Sequence, residues 1–272
     1  SIFLTLIILK LLGILETNEI IINNFSIIIF GSLSFFLIGI FDDIYPVSPF
    51  KRLFLQFFIY LLLWSFGLKI EVLKIPFIDF PNNEIYLNNF FSLIFSSIWV
   101  VGLVNSINWI DGLDGLAAAV CLISSLGLTI VATLKGDFHI AVWLISIIGA
   151  SIGFLFYNWA PAKIFLGDCG SYLLGFSIAA ANIMQFYSLN SITNFNSEFQ
   201  SLIPIFIVLI PIFDMIIVIK RRLTSGLSPF YPDTTHIHHR LLNSGMNYKN
   251  SIFFILSFSI LFTVIGVGLA LV

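Results

Sequence analysis

The stretch from Ser92 to Leu134, SLIFSSIWVVGLVNSINWIDGLDGLAAAVCLISSLGLTIVATL, holds two apolar runs on either side of a short polar knot. The runs, 92–109 and 116–134, carry no Lys, Arg, Asp or Glu. Each is close to the ~20 residues with which an α-helix crosses a ~30 Å hydrocarbon layer. A water-soluble domain has no place for two such segments joined by six residues. The pair therefore predicts two membrane-crossing helices, with the polar knot at one membrane face.

The rest of the chain repeats this pattern. Of its 272 residues 59% are hydrophobic and 10% charged, against about 25% charged in an ordinary soluble domain, and its mean hydropathy is +1.06. Further apolar runs lie at about 1–15, 24–41, 53–69, 139–157, 171–188, 201–219 and 251–272. The predicted fold is all-α, a polytopic transmembrane helix bundle of about nine helices forming one membrane domain over residues 1–272. The 31 Phe residues suit lipid-facing helix surfaces. A net charge of −2, with no basic stripe interleaved with aromatics, excludes a nucleic-acid partner. Cys121 and Cys169 have neither metal-ligand spacing nor the look of a disulfide framework, and are expected as two unpaired thiols. The chain opens on Ser1 inside an apolar stretch with no signal-peptide pattern, so one or two further N-terminal helices are expected to precede it.

Because a chain changes sides with every span, loops 42–52, 110–115, 158–170 and 220–250 share one face. Lys51, Arg52, Lys163, Lys220, Arg221, Arg222, Arg240 and Lys249 belong to that set, whereas Lys10, Lys69, Lys74 and Lys135 belong to the other. Basic residues gather on the cytoplasmic side, so the first set is expected there. Asp42, Asp43, Asp111, Asp114, Asp168, Asp214 and Asp233 fall on or near this same face, and all five Glu residues on the opposite one. Short carboxylates converging from several loops suggest a hard cation or a phosphate-bearing ligand.

Four constellations carry that suggestion. Asp42-Asp43 ends the second run and is followed by Lys51 and Arg52. Adjacent acids at a helix end are ordinarily just a solvated terminus, but ionisable groups near a membrane call for a named partner; a cation and a lipid phosphate are candidates. In Asn105-Ser106-Ile107-Asn108-Trp109-Ile110-Asp111-Gly112-Leu113-Asp114-Gly115 a polar residue recurs at every third position, a stripe for which an apolar bundle has no structural use. Phe165-Leu166-Gly167-Asp168-Cys169-Gly170-Ser171 opens the seventh run; a Gly-rich helix start exposes backbone N–H groups that favour phosphate, and Asp168 there makes sense with a bridging cation. Ser228-Pro229-Phe230-Tyr231-Pro232-Asp233 leads into His236-Ile237-His238-His239-Arg240. With no Cys or Glu nearby to complete a zinc site, phosphate contact is preferred. Asp214 is either buried support for the site or a member of it, and His139 is structural or interfacial.

In this order, the acidic pair, the Asn-x-x-Asn-x-x-Asp-Gly-x-Asp-Gly run, the Phe-x-Gly-Asp-x-Gly-Ser run and the His-x-His-His run resemble the polyprenyl-phosphate N-acetylhexosamine-1-phosphate transferase superfamily. The His-x-His-His form is more similar to the GlcNAc-type initiators than to the muramoyl-pentapeptide transferases, which remain the alternative. The resemblance implies transfer of a sugar-1-phosphate from a UDP-sugar to undecaprenyl or another polyprenyl phosphate, releasing UMP, as the first membrane step of envelope glycan synthesis. It further implies Mg²⁺, with Mn²⁺ also admitted, held by Asn108 and Asp168. Asp42 and Asp43 would orient or deprotonate the lipid phosphate. Asp111, Asp114 and Phe165 would lie around the nucleotide, and His236, His238, His239 and Arg240 around phosphate or sugar. Lys51 and Asn105 complete the expected substrate contacts. The implied setting is the cell's inner or plasma membrane with the site facing the cytoplasm, and a homodimer is compatible with it. Members of the superfamily begin with further N-terminal helix and an inner Pro/Gly loop, so this chain is expected to be a fragment or an impaired copy. A secondary transporter is the rival from another class, since intramembrane Asp residues and broken helices also mark transporters. Transporters place these groups near the midplane and often show inverted repeats, whereas here they cluster at one face without a repeat. A noncatalytic membrane scaffold is a more distant third.

Overall fold

The computed structural model describes residues 19–76, 84–187, 198–231 and 235–272, so the first apolar run and Asp233 lie outside the described residues. The described chain is almost entirely helical. Helix α1 spans Glu19–Ile44 and α2 spans Pro49–Ser65, the latter opened by a proline whose missing N–H is harmless in a first turn. A short antiparallel hairpin follows, β1 (Val72–Lys74) pairing with β2 (Glu84–Tyr86). Then come α3 (Asn89–Ile110), α4 (Leu116–Lys135), α5 (Phe138–Asn158) and α6 (Gly167–Phe186). The chain finishes with α7 (Leu202–Ile207), α8 (Leu209–Thr224), α9 (Ile237–Asn243) and α10 (Tyr248–Leu269).

Among the described residues, α1 from Asn24, α3, α4, α5 and α10 are long and apolar enough to cross a membrane. Helix α6 is different in kind. It is more polar, carrying Asp168, Asn182 and Gln185, yet every residue from Leu174 to Phe186 is buried. It is the hub of the bundle, sheathed by the apolar helices, and so needs no lipid-compatible surface of its own. Two contacts set its fit against α1: Phe35 stacks on Phe176 with ring centroids 4.8 Å apart, and Gly39 lies against the first turn of α6. A Cβ at Gly39 would lie 2.3 Å from the Cα of Cys169, so only glycine permits this approach.

The structure departs from the predicted run 201–219, which is two helices rather than one. Pro211 has no N–H to give the carbonyl of Ile207, and its ring would crowd that carbonyl in a continuous helix. The freed Ile207 carbonyl accepts instead from the Ser124 hydroxyl at 3.1 Å. The hairpin and α9 were also not visible as apolar runs, since both are short and polar.

Among the described residues, the two predicted sets of loops collect at opposite ends of the bundle. At one end Lys135 Nζ donates to the Gln185 carbonyl at 2.8 Å and Lys74 N to Ser201 Oγ at 2.8 Å. At the other end lie the turns bearing Asp42, Asp111, Asp168, His236, His238 and His239. Both cysteines are free thiols.

Candidate active site

The close approach at Gly39 determines what happens one turn later on α1. Asp43 meets the start of α6 and accepts from the backbone N–H groups of Asp168 at 2.8 Å and Cys169 at 3.1 Å. The expectation that these N–H groups would cradle a phosphate is therefore corrected: Asp43 caps them. Asp42, only 7% exposed, accepts from the Val47 backbone N–H at 2.8 Å and from Arg52 Nη1 at 2.7 Å. The Tyr172 hydroxyl stands 3.4 Å from the same carboxylate.

Arg52 joins this pair to the next element, its Nη1 also lying 3.5 Å from Asp168 Oδ2. The other Asp168 oxygen accepts from Asn108 Nδ2 at 2.5 Å, and that nitrogen is 3.1 Å from Ser171 Oγ. One polar chain thus ties α1, α2, α3 and α6 together: Asp42, Arg52, Asp168, Asn108, Ser171.

The polar stripe of the third helix divides where the helix turns. Asn105 is buried and donates to Gln56 Oε1 of α2 at 2.6 Å, so its amide nitrogen serves helix packing. Asn108, a turn later, reaches α6. Helix α3 ends at Ile110, which puts Asp111 and Asp114 in the connecting turn. Asp114 Oδ2 accepts from Ala162 N at 3.0 Å, its own N–H donates to the Tyr248 hydroxyl, and Asn158 Oδ1 accepts from Gly115 N at 2.9 Å. These bonds brace the 159–166 loop against the turn. Burial pushes the Asp111 carboxyl up to about 7, with the charges of Asp168 and Asp114 adding to the shift.

The histidine loop closes the same end. His236 is buried, with Nδ1 2.7 Å from Asp214 Oδ2 and its ring edge-on to Trp109 at 5.7 Å. Arg222 sits over the Trp109 ring at 4.9 Å. His238 is almost fully buried against Gly112, where a Cβ would lie 2.1 Å from its Nε2. Burial, with His239 and His236 beside it, brings its imidazole down to about 4, so it stays neutral at physiological pH.

The remaining predicted residues stand apart from the network. Lys51 and Arg240 are exposed, His239 is half-buried and Phe165 is 78% exposed. Lys51 and Arg52 are consecutive on α2, and a helix rotates about 100° in that step, which is why Arg52 and not Lys51 reaches the acids. Gln56, Asn158, Tyr172 and Tyr248 bond to the predicted residues without having been singled out from sequence. A lone Gln in the apolar α2 was the one readable signal among them.

A small hard cation fits the donor set. Asp168 and Ser171 bring a carboxylate and a hydroxyl oxygen to the Asn108 amide, which faces them through Nδ2; with that amide flipped, Asn108 Oδ1 would complete an oxygen set of the kind Mg²⁺ selects. Among the described residues no three His, Cys, Asp or Glu side chains form a ligand group. Asp111, raised first by burial and then by the charges of Asp168 and Asp114, would ionise more readily beside a cation.

The chain is similar in sequence to known proteins. A probable undecaprenyl-phosphate N-acetylglucosaminyl 1-phosphate transferase of Bacillus subtilis is 33% identical over 257 residues, 94% of this chain and 69% of the relative. A decaprenyl-phosphate N-acetylglucosaminephosphotransferase of Mycobacterium leprae is 33% identical, covering 80% of this chain and 58% of its own length. An undecaprenyl-phosphate alpha-N-acetylglucosaminyl 1-phosphate transferase of Escherichia coli is 28% identical, covering 85% and 61%. The chain thus spans about three fifths to two thirds of the length of these relatives. The family model described as glycosyl transferase family 4 matches residues 25–186, more than half of the chain. That match runs from α1 to the end of α6 and takes in Asp42, Asp43, Asn108, Asp111, Asp114 and Asp168, so the helices that build the acidic network are those by which the chain belongs to glycosyl transferase family 4.

Proposed function

We propose that the protein transfers GlcNAc-1-phosphate from UDP-GlcNAc to a polyprenyl phosphate, with Mg²⁺ dependence, at the cytoplasmic face of a bacterial plasma membrane. The observation that carries the proposal is the chain Asp42, Arg52, Asp168, Asn108, which draws four helices together at the polar end of an otherwise apolar bundle. The names of the three relatives above support the transferred group and the polyprenyl-phosphate acceptor; the UDP donor is part of the proposal.

In the proposed reaction an oxygen of the lipid phosphate attacks the sugar-bearing phosphorus of the nucleotide diphosphate. The bond from that phosphorus to the bridging oxygen breaks, and UMP leaves with the oxygen. Phosphoryl transfer asks the protein mainly for positioning and charge neutralisation. A phosphate monoester has its second pKa near 6 and is mostly dianionic at pH 7, so it needs no strong base. Asp42, held by Arg52 and the Val47 N–H, is suited to fixing the guanidinium where it can meet a phosphate. Asp43 fixes the start of α6 and hence the direction of Asp168. Asp168 and Asn108 would hold Mg²⁺, which when bound neutralises the diphosphate charge and polarises its oxygens. Asp111, Asp114 and the buried His238 line the turns that border this point, on the side proposed for the nucleotide and sugar.

Replacing Asp168 with Asn tests the assignment, since it keeps the size of the side chain and removes its charge. The variant should insert into membranes at the wild-type level and lose Mg²⁺-dependent UMP release by about 10²–10³-fold, roughly the 3–4 kcal/mol expected when a charge-stabilising group is removed from a transition state. Wild-type turnover in this variant would refute the metal role.

A further inference from the structure

Asp214 lies within α8, and the mechanism above does not use it. Its side chain is nearly fully buried in an apolar helix, a placement that costs free energy unless both oxygens find partners. Both do, and on one short segment: Oδ2 is 2.7 Å from His236 Nδ1, and Oδ1 accepts from the Ile237 backbone N–H at 2.7 Å. A carboxylate can only accept, so Nδ1 carries the ring proton, and Nε2 is the nitrogen left to meet another group. The ring is held edge-on to Trp109 and parallel to the His238 ring, both centroid distances being 5.7 Å. Trp109 directly follows Asn108 on α3. The Asp214 carboxylate therefore fixes an imidazole beside the helix end from which Asn108 and Asp111 reach the polar network.

We infer that Asp214 is a positioning residue that acts on the transfer reaction through His236, setting the tautomer and placement of its imidazole without touching substrate. This rests on the transferase reading above. The alternative is purely architectural: Asp214 would anchor the start of α9 through Ile237 N–H, and the ring bond would be incidental.

The test uses the full chain in nanodiscs, with ¹⁵N-labelled imidazoles, and four proteins: wild type, Asp214→Asn, His236→Gln and the double variant. Asn preserves the volume of the buried side chain and avoids the collapse that a smaller residue could cause. In wild type one Nδ1–H signal, absent from His236→Gln, should show a strong hydrogen bond, and Asp214→Asn should move or abolish it. In the lipid-product assay Asp214→Asn should lower kcat by about 10–100-fold, the usual loss when a group that orients a functional His is removed. In the His236→Gln background the same change should cost no more than about 3-fold, because its route of action is already gone. Losses that multiply, or an Nδ1–H signal unmoved by Asp214→Asn, would overturn the inference. If wild type makes no lipid-linked product, the transferase reading fails, and the imidazole signal then decides the Asp214–His236 coupling alone.

Discussion

The two ends of the bundle handle charge in opposite ways. At the hairpin end, each acid that forms an ion pair has its own cation: Lys69 Nζ is 3.0 Å from Glu71 and Lys74 Nζ is 3.0 Å from Glu84. At the other end, one guanidinium, Arg52, is shared by Asp42 and Asp168, while Asp43 is spent on backbone N–H groups and Asp111 is crowded by its neighbours. Solvating helix ends asks only for the first arrangement. The second keeps negative charge together at a cost that folding does not require, the pattern expected where a cationic or phosphate-bearing ligand completes the site.

Removing the shared cation breaks the contrast most severely. Arg52→Ala leaves Asp42 and Asp168 facing each other uncompensated, and truncating one partner of a buried ion pair typically costs about 3–5 kcal/mol. The variant should lose transfer activity by about 10²–10³-fold and melt at lower temperature. Lys51→Ala, one residue away and exposed, should stay within about 3-fold of wild type in the same assay.

The burial of Asp111, with the charges of Asp168 and Asp114 nearby, predicts a pH dependence. Its carboxyl is raised in the folded chain to about 7, so ionising it opposes folding. The penalty is absent below the ordinary carboxylate range near pH 4 and grows as pH rises towards 7. Metal-free Asp111→Asn should therefore be more heat-stable than wild type at pH 8, by on the order of a few kcal/mol, and the two should converge near pH 4. Melting curves across that range check the sign.

Smaller effects follow. Asp43→Ala uncaps α6 and should cost about 1–2 kcal/mol of stability, with Asp43→Asn losing less because it keeps an acceptor. Smallest of all, Glu84→Ala at the hairpin end should change stability by no more than about 1 kcal/mol and activity not at all, since single ion pairs that reach solvent contribute little.

Much of this contrast was legible in the sequence, because it rests on runs and parity. Spans of apolar residues dictate where turns fall, and alternation then puts Asp42, Asp111 and Asp168 at one end whatever the packing. What was not legible depends on rotation about helix axes and on breaks that no run announces. Lys51 and Arg52 look equivalent in a list of charges, yet only one faces α1 and α6. Asn105 and Asn108 belong to one motif, yet they serve different neighbours, Gln56 and Asp168. The role of Asp43 as a cap depends on the glycine approach at Gly39, a contact between residues 130 positions apart that spacing cannot reveal. The break before Pro211 was within reach, since an interior proline in a predicted helix is a warning. The polarity of α6 was the subtler case. A helix wrapped by others can carry Asn182 and Gln185, so its modest hydropathy reflects central position rather than a shorter span.

The most direct test of the central claim follows the label from UDP-[¹⁴C]GlcNAc in membranes containing the protein, with and without added undecaprenyl phosphate. The account predicts an organic-extractable labelled product that requires both the lipid phosphate and a divalent cation, with one UMP released per product formed. Label that enters sealed vesicles as intact UDP-GlcNAc, with no lipid product and no UMP, would contradict it.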